Sequence, residues 1–249
     1  MLQSSASTST SSLRARHIER HGGGGSLSDV ILGGQDGLVN VLGVILGVAA
    51  ATPDPNIVLA GGLAATFAES ISMGAVAYTS TLADRDFYLA ELEREKREIR
   101  EVPELEREEI RVVYREYGLE GDALEQVTAA VTSIEETWLK VMMAEELKLQ
   151  PVERGALHSA VVVGVSALVG SLVPLLPFVL VPFGILPRIT AIFVSLIISA
   201  LTLFAVGVYK ARITVGRPGR SGLQMAVIGI VSALAGYAIG AMFGMKGGG

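Results

Sequence analysis

Two acidic residues stand inside long apolar stretches, and they are the first candidates for chemistry. Asp36 is the one charge in residues 30–53, and Glu69 is the one charge in residues 56–83. An ionised carboxylate at the centre of a membrane helix costs ~2.5–3.5 kcal/mol on insertion scales, so an acid in such a place is by default a functional hypothesis. Both residues therefore predict a site that binds a cation or a proton.

The neighbours of these acids extend the prediction. Asn40 lies one helical turn after Asp36, while Met73 lies one turn after Glu69 and Thr66 one turn before it. If the two helices converge, these groups form a polar seam that holds a dehydrated divalent cation or a proton. The structural alternative is that Asp36 caps a kinked helix and Glu69 is protonated and buried. We place the ion pathway on Asp36, Asn40, Glu69 and Met73.

A second set of candidates lies in residues 82–152, which hold 19 acidic and 10 basic residues. Helical spacing groups the glutamates on shared faces and sets methionines beside them: Glu91, Glu95 and Glu98; Glu106 and Glu109; Glu135, Met142 and Glu146, with Met143 adjacent. The alternative is a solvated, salt-bridged surface, which is typical of charge runs. Carboxylates alone suit Mg²⁺ or Ca²⁺, whereas added thioethers favour a softer first-row transition ion.

The rest of the chain must position these residues, and its composition indicates a membrane protein. Half of the 249 residues are hydrophobic and only 18% are charged, against roughly 25% in soluble domains. A span takes about 20 apolar residues, and five stretches qualify: 30–53, 56–83, 155–187, 189–209 and 221–245. Four prolines in the third predict a helix followed by an apolar re-entrant or lumenal loop. The absence of cysteine excludes disulfides, thiolate zinc sites and iron–sulfur clusters.

Basic residues set the expected orientation. They are frequent in the leader and in the 210–220 loop, which places the N-terminus and the acidic block in the cytosol. We expect a disordered leader over 1–28 with a hinge at Gly22–Gly25, membrane helices 1 and 2 over 29–81, a cytosolic domain over 82–152, membrane helices 3 to 5 over 153–246, and a tail over 247–249. The first apolar run is too long for a secretory signal peptide, and it carries Asp36. The leader, which is rich in serine and arginine and poor in acids, could be an organelle transit peptide, but we expect a solvated tail.

The predicted fold is an all-α integral membrane protein with five transmembrane helices. A three-helix cytosolic metal-binding domain is inserted between spans 2 and 3. Its first helix continues span 2 to about Arg100, and the others cover about 103–117 and 122–149. Small residues four apart, as in Gly33/Gly37, Gly43/Gly47 and Gly236/Gly240/Gly244, permit close helix approach and allow a homodimer.

The same residues carry a family resemblance. Asp36-Gly37-Leu38, Ser72-Met73-Gly74, the glutamate pairs around Val102-Pro103, and the 138–147 segment with its two methionines resemble the vacuolar iron transporter family over about residues 28–244. The resemblance implies a homodimer of five-helix protomers in a membrane. It would export Fe²⁺ from the cytosol in exchange for protons, with Mn²⁺, Zn²⁺ and Co²⁺ as further candidates. The membrane would be vacuolar in a eukaryote and the plasma membrane in a prokaryote.

The resemblance also assigns residues. Asp36 and Met73 would line the ion path at the dimer interface, and a cytosolic metal cluster would consist of Glu95, Glu98, Glu106, Glu109, Met142, Met143 and Glu146. The chain departs from plant-like members in the second span. Their glutamate aligns with Ala65, whereas this chain has Glu69 one turn later on the same face. Glu69 is therefore the candidate replacement in proton coupling.

Three other functions compete with Fe²⁺ export. A ferroxidase with a di-iron site would use Glu-x-x-His pairs, and the three histidines (His17, His21 and His158) lie outside the acidic block. A Mg²⁺ transporter gains nothing from the methionines, whereas a Mn²⁺ transporter stays open. A non-transporting metal sensor needs no acids inside the bilayer. Without a Gly-Lys-Ser/Thr phosphate-binding loop we expect no nucleotide and no nucleic acid as partner, and a gradient must drive a secondary transporter rather than an enzyme.

Overall fold

A computed structural model describes residues 24–214 and 216–244, and no strand occurs among them. The helices are α1 (Gly24–Ala51), α2 (Pro55–Glu101), α3 (Pro103–Glu116), α4 (Gly121–Thr132), α5 (Glu135–Val141), α6 (Ala156–Val179), α7 (Arg188–Ile213) and α8 (Pro218–Gly244), with a π-helical turn at Met142–Glu146. The chain divides into two compact units. The apolar unit comprises Met1–Gly74 and Val161–Gly249, and the acidic unit comprises Ala75–Ala160.

Five of these helices (α1, α2, α6, α7 and α8) are long and apolar enough to cross a membrane, as the sequence predicts. The start of α1 differs from the prediction. It begins at Gly24, so residues 24–28, expected in a disordered leader, are helical, while residues 1–23 and the predicted tail at 247–249 lie outside the described residues. The acidic unit is also wider than 82–152, because it includes the adjoining ends of α2 and α6.

The third span keeps its helical form through two of its prolines. Helix α6 contains Pro174 and Pro177 and ends at Val179, and only then do turns lead to α7. Proline blocks one backbone hydrogen bond in a helix, and neighbouring groups in a membrane bundle replace such bonds. The Ser195 hydroxyl of α7 donates to the Pro174 carbonyl at 2.7 Å. The loop predicted after α6 is therefore shorter than the four prolines indicate.

Glycines bring the helices of the apolar unit into backbone contact. A Cβ atom on Gly236 or Gly240 of α8 would collide with the carbonyl of Gly43 or Gly47 on α1. A Cβ on Gly37 would likewise collide with the Ala167 carbonyl of α6. The small-residue pairs that the sequence offers for close approach are thus used between helices of one chain.

An apolar core and one half-buried arginine hold the far end of α1. The core joins all five long helices through Val41, Leu42, Ile45, Leu46, Ala49, Val58, Leu175, Phe178, Ala191 and Ala233. Arg188, the first residue of α7, donates from Nη1 to the Ala49 carbonyl at 2.7 Å and to the Thr52 carbonyl at 3.3 Å. These carbonyls end α1 and have no partner within the helix, so Arg188 caps it.

The acidic unit folds around its own apolar cluster, to which α2, α3, α4, α5 and the π-helical turn all contribute. Its third predicted helix, 122–149, is wrong as a single element. It breaks after α4, where the Ser133 hydroxyl donates to the Ala130 carbonyl at 2.7 Å and Ile134 is extended with φ −128° and ψ 115°. Serine competes for backbone groups in this way, and the chain restarts as α5 before ending in the π-helical turn.

Candidate metal centre

The first part of the site arises where α2 turns into α3. Helix α2 ends at Glu101, Val102 leaves the helical conformation with φ −133° and ψ 51°, and Pro103 starts α3. Proline suits a first helical turn because its missing N–H would be unpaired there. The reversal sets the last turns of α2 against the first turns of α3. As a result, one carboxylate oxygen each from Glu95, Glu98 and Glu106 lie within 4.8 Å of one another.

Two of these carboxylates are buried without full hydrogen bonding. Glu95 and Glu106 are each only 2% exposed. Within the described residues the Oε2 atom of each has no hydrogen-bond partner. A buried acceptor that lacks both water and a donor costs free energy, and a carboxylate costs more than a neutral group. A bound proton or a bound cation would remove this cost at each oxygen.

Electrostatics add two further glutamates to the group. Burial, together with the negative charges of Glu109, Glu95, Glu98 and Glu146, raises the pKa of Glu106 to about 8. Burial, followed by the charges of Glu109 and Glu95, likewise raises the pKa of Glu146 to about 7. Burial also raises the pKa of Glu95. We call these five residues, Glu95, Glu98, Glu106, Glu109 and Glu146, the glutamate cluster.

One arginine compensates part of this charge. The Arg94 guanidinium lies 3.0 Å from Glu91, 3.3 Å from Glu95 and 3.6 Å from Glu98. The sequence indicates the Arg94–Glu98 pair by its spacing, but not that a single guanidinium reaches three carboxylates. One positive charge against five glutamates leaves the cluster strongly negative, which favours a divalent cation.

The two methionines lie in the core of the acidic unit. Met142 and Met143 are 0% and 2% exposed and belong to the same apolar cluster as Ile99 and Ile110. Ile99 follows Glu95 by one turn and Ile110 follows Glu106 by one turn. This burial accounts for both methionines as core residues, and their role as sulfur ligands stays a prediction.

Glu135, the remaining member of the predicted third face, points to a different partner. Its Oε1 accepts a hydrogen bond from Arg100 at 2.7 Å, and both side chains are at least half exposed. Such a pair contributes little stability because water screens it. Glu135 therefore behaves as the solvated surface residue that the alternative interpretation describes.

The acids of the membrane helices also come together. The Asn40 amide on α1 donates to Glu69 Oε1 on α2 at 3.0 Å, and the Asp36 carboxyl group lies close enough to that of Glu69 for the two to interact. Met73 is half-buried one turn beyond Glu69. Thr66 instead turns inward, fully buried, and donates to the Gly62 carbonyl of its own helix.

Comparison with known proteins identifies the family of the chain. The model of the VIT family matches residues 27–241. "Vacuolar iron transporter 1" of Tulipa gesneriana is 36% identical, with 93% of each chain covered. "Vacuolar iron transporter 2" of Oryza sativa subsp. japonica is 38% identical, with 89% of each covered, and "Vacuolar iron transporter 1" of Arabidopsis thaliana is 33% identical over 90% of this chain and 88% of the relative. These relatives are transporters rather than enzymes. This multi-pass membrane protein belongs to the VIT family.

Proposed function

We propose that the protein exports Fe²⁺ from the cytosol in exchange for protons, with Mn²⁺ as the nearest competing substrate. The glutamate cluster carries the proposal, because it buries two carboxylates whose free oxygens have no partner among the described residues. The choice of iron as the metal rests on relatives that are named vacuolar iron transporters. The same relatives point to a vacuole-like membrane in a eukaryotic cell.

The acidic unit is the cytosolic receiver of the metal in this proposal. The lysines and arginines of the 210–220 loop and of the leader favour the cytosolic side for the N-terminus and for residues 82–152. An entering ion replaces the protons that burial and mutual repulsion keep on Glu106 and Glu146. The cluster therefore concentrates a divalent cation from a dilute pool, and its dependence on pH ties binding to proton release.

The polar seam of Asp36, Asn40 and Glu69 is the proposed membrane step. In this proposal the two carboxyl groups bind either a proton or a divalent ion, and an arriving ion displaces the proton. Competition between a proton and a metal for the same oxygens is sufficient to couple the two flows. Met73 supplies a soft ligand one turn further along α2, which favours Fe²⁺ over Mg²⁺.

A homodimer completes this seam. Asn40 is exposed, as are Phe67 and Ile71 on the same half of α2, so the seam is open at the surface of one chain. The glycine pairs are already occupied within the chain, which leaves this face of α1 and α2 as the proposed interface. Two copies facing each other would enclose Asp36 and Met73 from both sides.

The test is flux into proteoliposomes. We expect uptake of Fe²⁺, weaker uptake of Mn²⁺ and little uptake of Mg²⁺, with all uptake increased by an acidic lumen. Asp36→Ala and Met73→Ala should each remove most Fe²⁺ flux while the protein stays folded. Wild-type flux in both variants contradicts the pathway assignment.

Glu69→Gln separates binding from coupling. The amide keeps the shape and one oxygen of the carboxylate but exchanges no proton, so metal binding should persist while flux stops responding to the pH gradient. Glu93→Gln on the same helix is the matched control, because it makes the same change at an exposed glutamate that pairs with Lys96 outside the glutamate cluster. A Glu69→Gln variant with the wild-type pH dependence moves proton coupling to another residue, with Asp36 next.

A further inference from the structure

A groove of about 340 Å³ runs along the apolar unit between α1, α6 and α7. Its volume is within the range of ligand pockets, roughly 300–1,000 Å³. Two glycines form its floor, because a Cβ on Gly170 would collide with the carbonyl of Gly34. Its walls are aliphatic apart from a few polar groups, among them the hydroxyls of Ser166, Thr202 and Tyr209. The groove therefore suits a hydrocarbon chain with a polar end.

The groove lies on the opposite side of α1 from the polar seam. Leu27, Gly34 and Leu38 line it, and the helical period of 3.6 residues places Asp36 and Asn40 roughly half a turn away. The polar seam and the proposed dimer face therefore leave the groove free. In α7 the groove extends along the last turns of an uncharged span, from Thr202 to Tyr209.

Positive charge begins where the groove ends. Tyr209 lines the groove, and Lys210 and Arg212 follow it, with Arg217 just before α8 and Arg220 in its first turn. All four basic side chains are exposed, and none of them forms an ion pair with any part of the chain that the structure describes. Tyrosine is typical of the membrane–water interface, where it meets lipid headgroups. The mouth of an apolar groove thus opens onto uncompensated positive charge.

We propose that the groove binds one acyl chain of an anionic phospholipid, whose phosphate pairs with Lys210 and Arg212. The charge at the mouth argues against other occupants. The N-terminal residues 1–23 carry three arginines and one glutamate, so the basic loop repels them. A second copy of the chain would bring its own basic loop to the same place. The lipid instead neutralises the loop and packs against α1, the helix that carries Asp36.

Native mass spectrometry of the full-length protein in mild detergent tests this directly. With phosphatidylglycerol and phosphatidylcholine of identical acyl chains, we expect each protomer to retain the anionic lipid and to lose the zwitterionic one. Lys210→Gln with Arg212→Gln should weaken retention about 25-fold, since each basic residue near an anionic headgroup contributes a factor of about five. Thr202→Phe should fill the groove and displace the lipid. Leu201→Phe, a similar change at an exposed neighbour on α7, should not.

Gly34→Leu is a second way to fill the groove. A Cβ on Gly34 would lie 3.6 Å from the Ser166 carbonyl, an ordinary contact, so the larger residue is accommodated. Equal retention of both lipids, or full retention after the change of both basic residues, overturns the proposal. Full retention in folded Thr202→Phe and Gly34→Leu overturns the groove as the site. Increased lipid retention after deletion of residues 1–23, or cross-links from Thr202 to a second copy, identifies a different occupant and also overturns it.

Discussion

Glu106→Gln should reduce the number of protons released when the protein binds a divalent metal. At pH 7 a carboxyl group with a pKa of about 8 holds about 0.9 proton, and one with a pKa of about 7 holds about 0.5. A metal that takes the oxygens of Glu106 and Glu146 must displace both protons, so these two groups together should release about 1.4 protons per ion. Glu106→Gln leaves only the contribution of Glu146, about 0.5.

The same two pKa values also predict how the number of released protons depends on pH. Release should be about 1.9 protons at pH 6 and about 0.6 at pH 8, because both carboxyl groups are nearly protonated at pH 6 and mostly ionised at pH 8. Affinity for the metal should therefore rise with pH across this interval. A group with an ordinary glutamate pKa of 4.5 would release almost no proton at any of these pH values.

Calorimetry in buffers of different ionisation enthalpy measures this number. The full-length protein is titrated anaerobically with Fe²⁺, and with Co²⁺ as an ion stable to air, and the difference between wild type and Glu106→Gln isolates the cluster from the membrane acids. Glu108→Gln is the matched control, since Glu108 lies on the same helix, is half exposed and pairs with Arg111 and Arg115. Proton release that does not change between pH 6 and 8, or that is the same in wild type and Glu106→Gln, refutes the reasoning.

Three further predictions concern stability without metal. Burial and neighbouring charges raise the pKa of Glu106 from 4.5 to about 8, so the stability of the acidic unit falls as pH rises between those values. Glu106→Gln should therefore stabilise this unit by about 4 kcal/mol at pH 8 and by little at pH 4, as measured by unfolding followed through the chain's single tryptophan. Gly236→Ala should destabilise the apolar unit by ~1–3 kcal/mol because its Cβ meets a backbone carbonyl, whereas Gly61→Ala, 3.5 Å from a valine methyl, should not; thermal unfolding in detergent compares them. Arg188→Gln should cost ~1.5–3 kcal/mol in the same assay, since it removes charged hydrogen bonds to the end of α1, and an unchanged melting temperature would contradict that cap.

The sequence correctly predicts those helices and helix boundaries that depend on neighbouring residues in the chain. The five long helices follow from uninterrupted apolar length, and the α2–α3 boundary follows from Pro103. The break at Ser133 and Ile134 was not predictable in this way, because neither residue is a strong helix breaker. Pro174 and Pro177 misled in the opposite direction, because α6 continues through both prolines and ends only at Val179.

The candidate site shows the same division. Spacing placed Glu95 with Glu98 and Glu106 with Glu109 on shared helix faces, and the structure brings three of these oxygens within 4.8 Å. Which glutamates are buried depends on how α2 packs against α3, which no local pattern specifies. Glu135 had suitable spacing but faces Arg100. The contact between Asn40 and Glu69 joins two helices. Sequence alone could predict it only on the condition that these helices converge.

Simultaneous recording of Fe²⁺ entry and lumenal pH in one population of proteoliposomes tests the central claim most directly. Vesicles with an acidic lumen should take up Fe²⁺ and become less acidic at the same rate, and a protonophore that removes the pH gradient should slow the uptake. Glu69→Gln should uncouple the two signals, while the control Glu93→Gln leaves them linked. Fe²⁺ uptake that proceeds at the same rate with and without the pH gradient, and with no change in lumenal pH, would contradict the exchange of iron for protons.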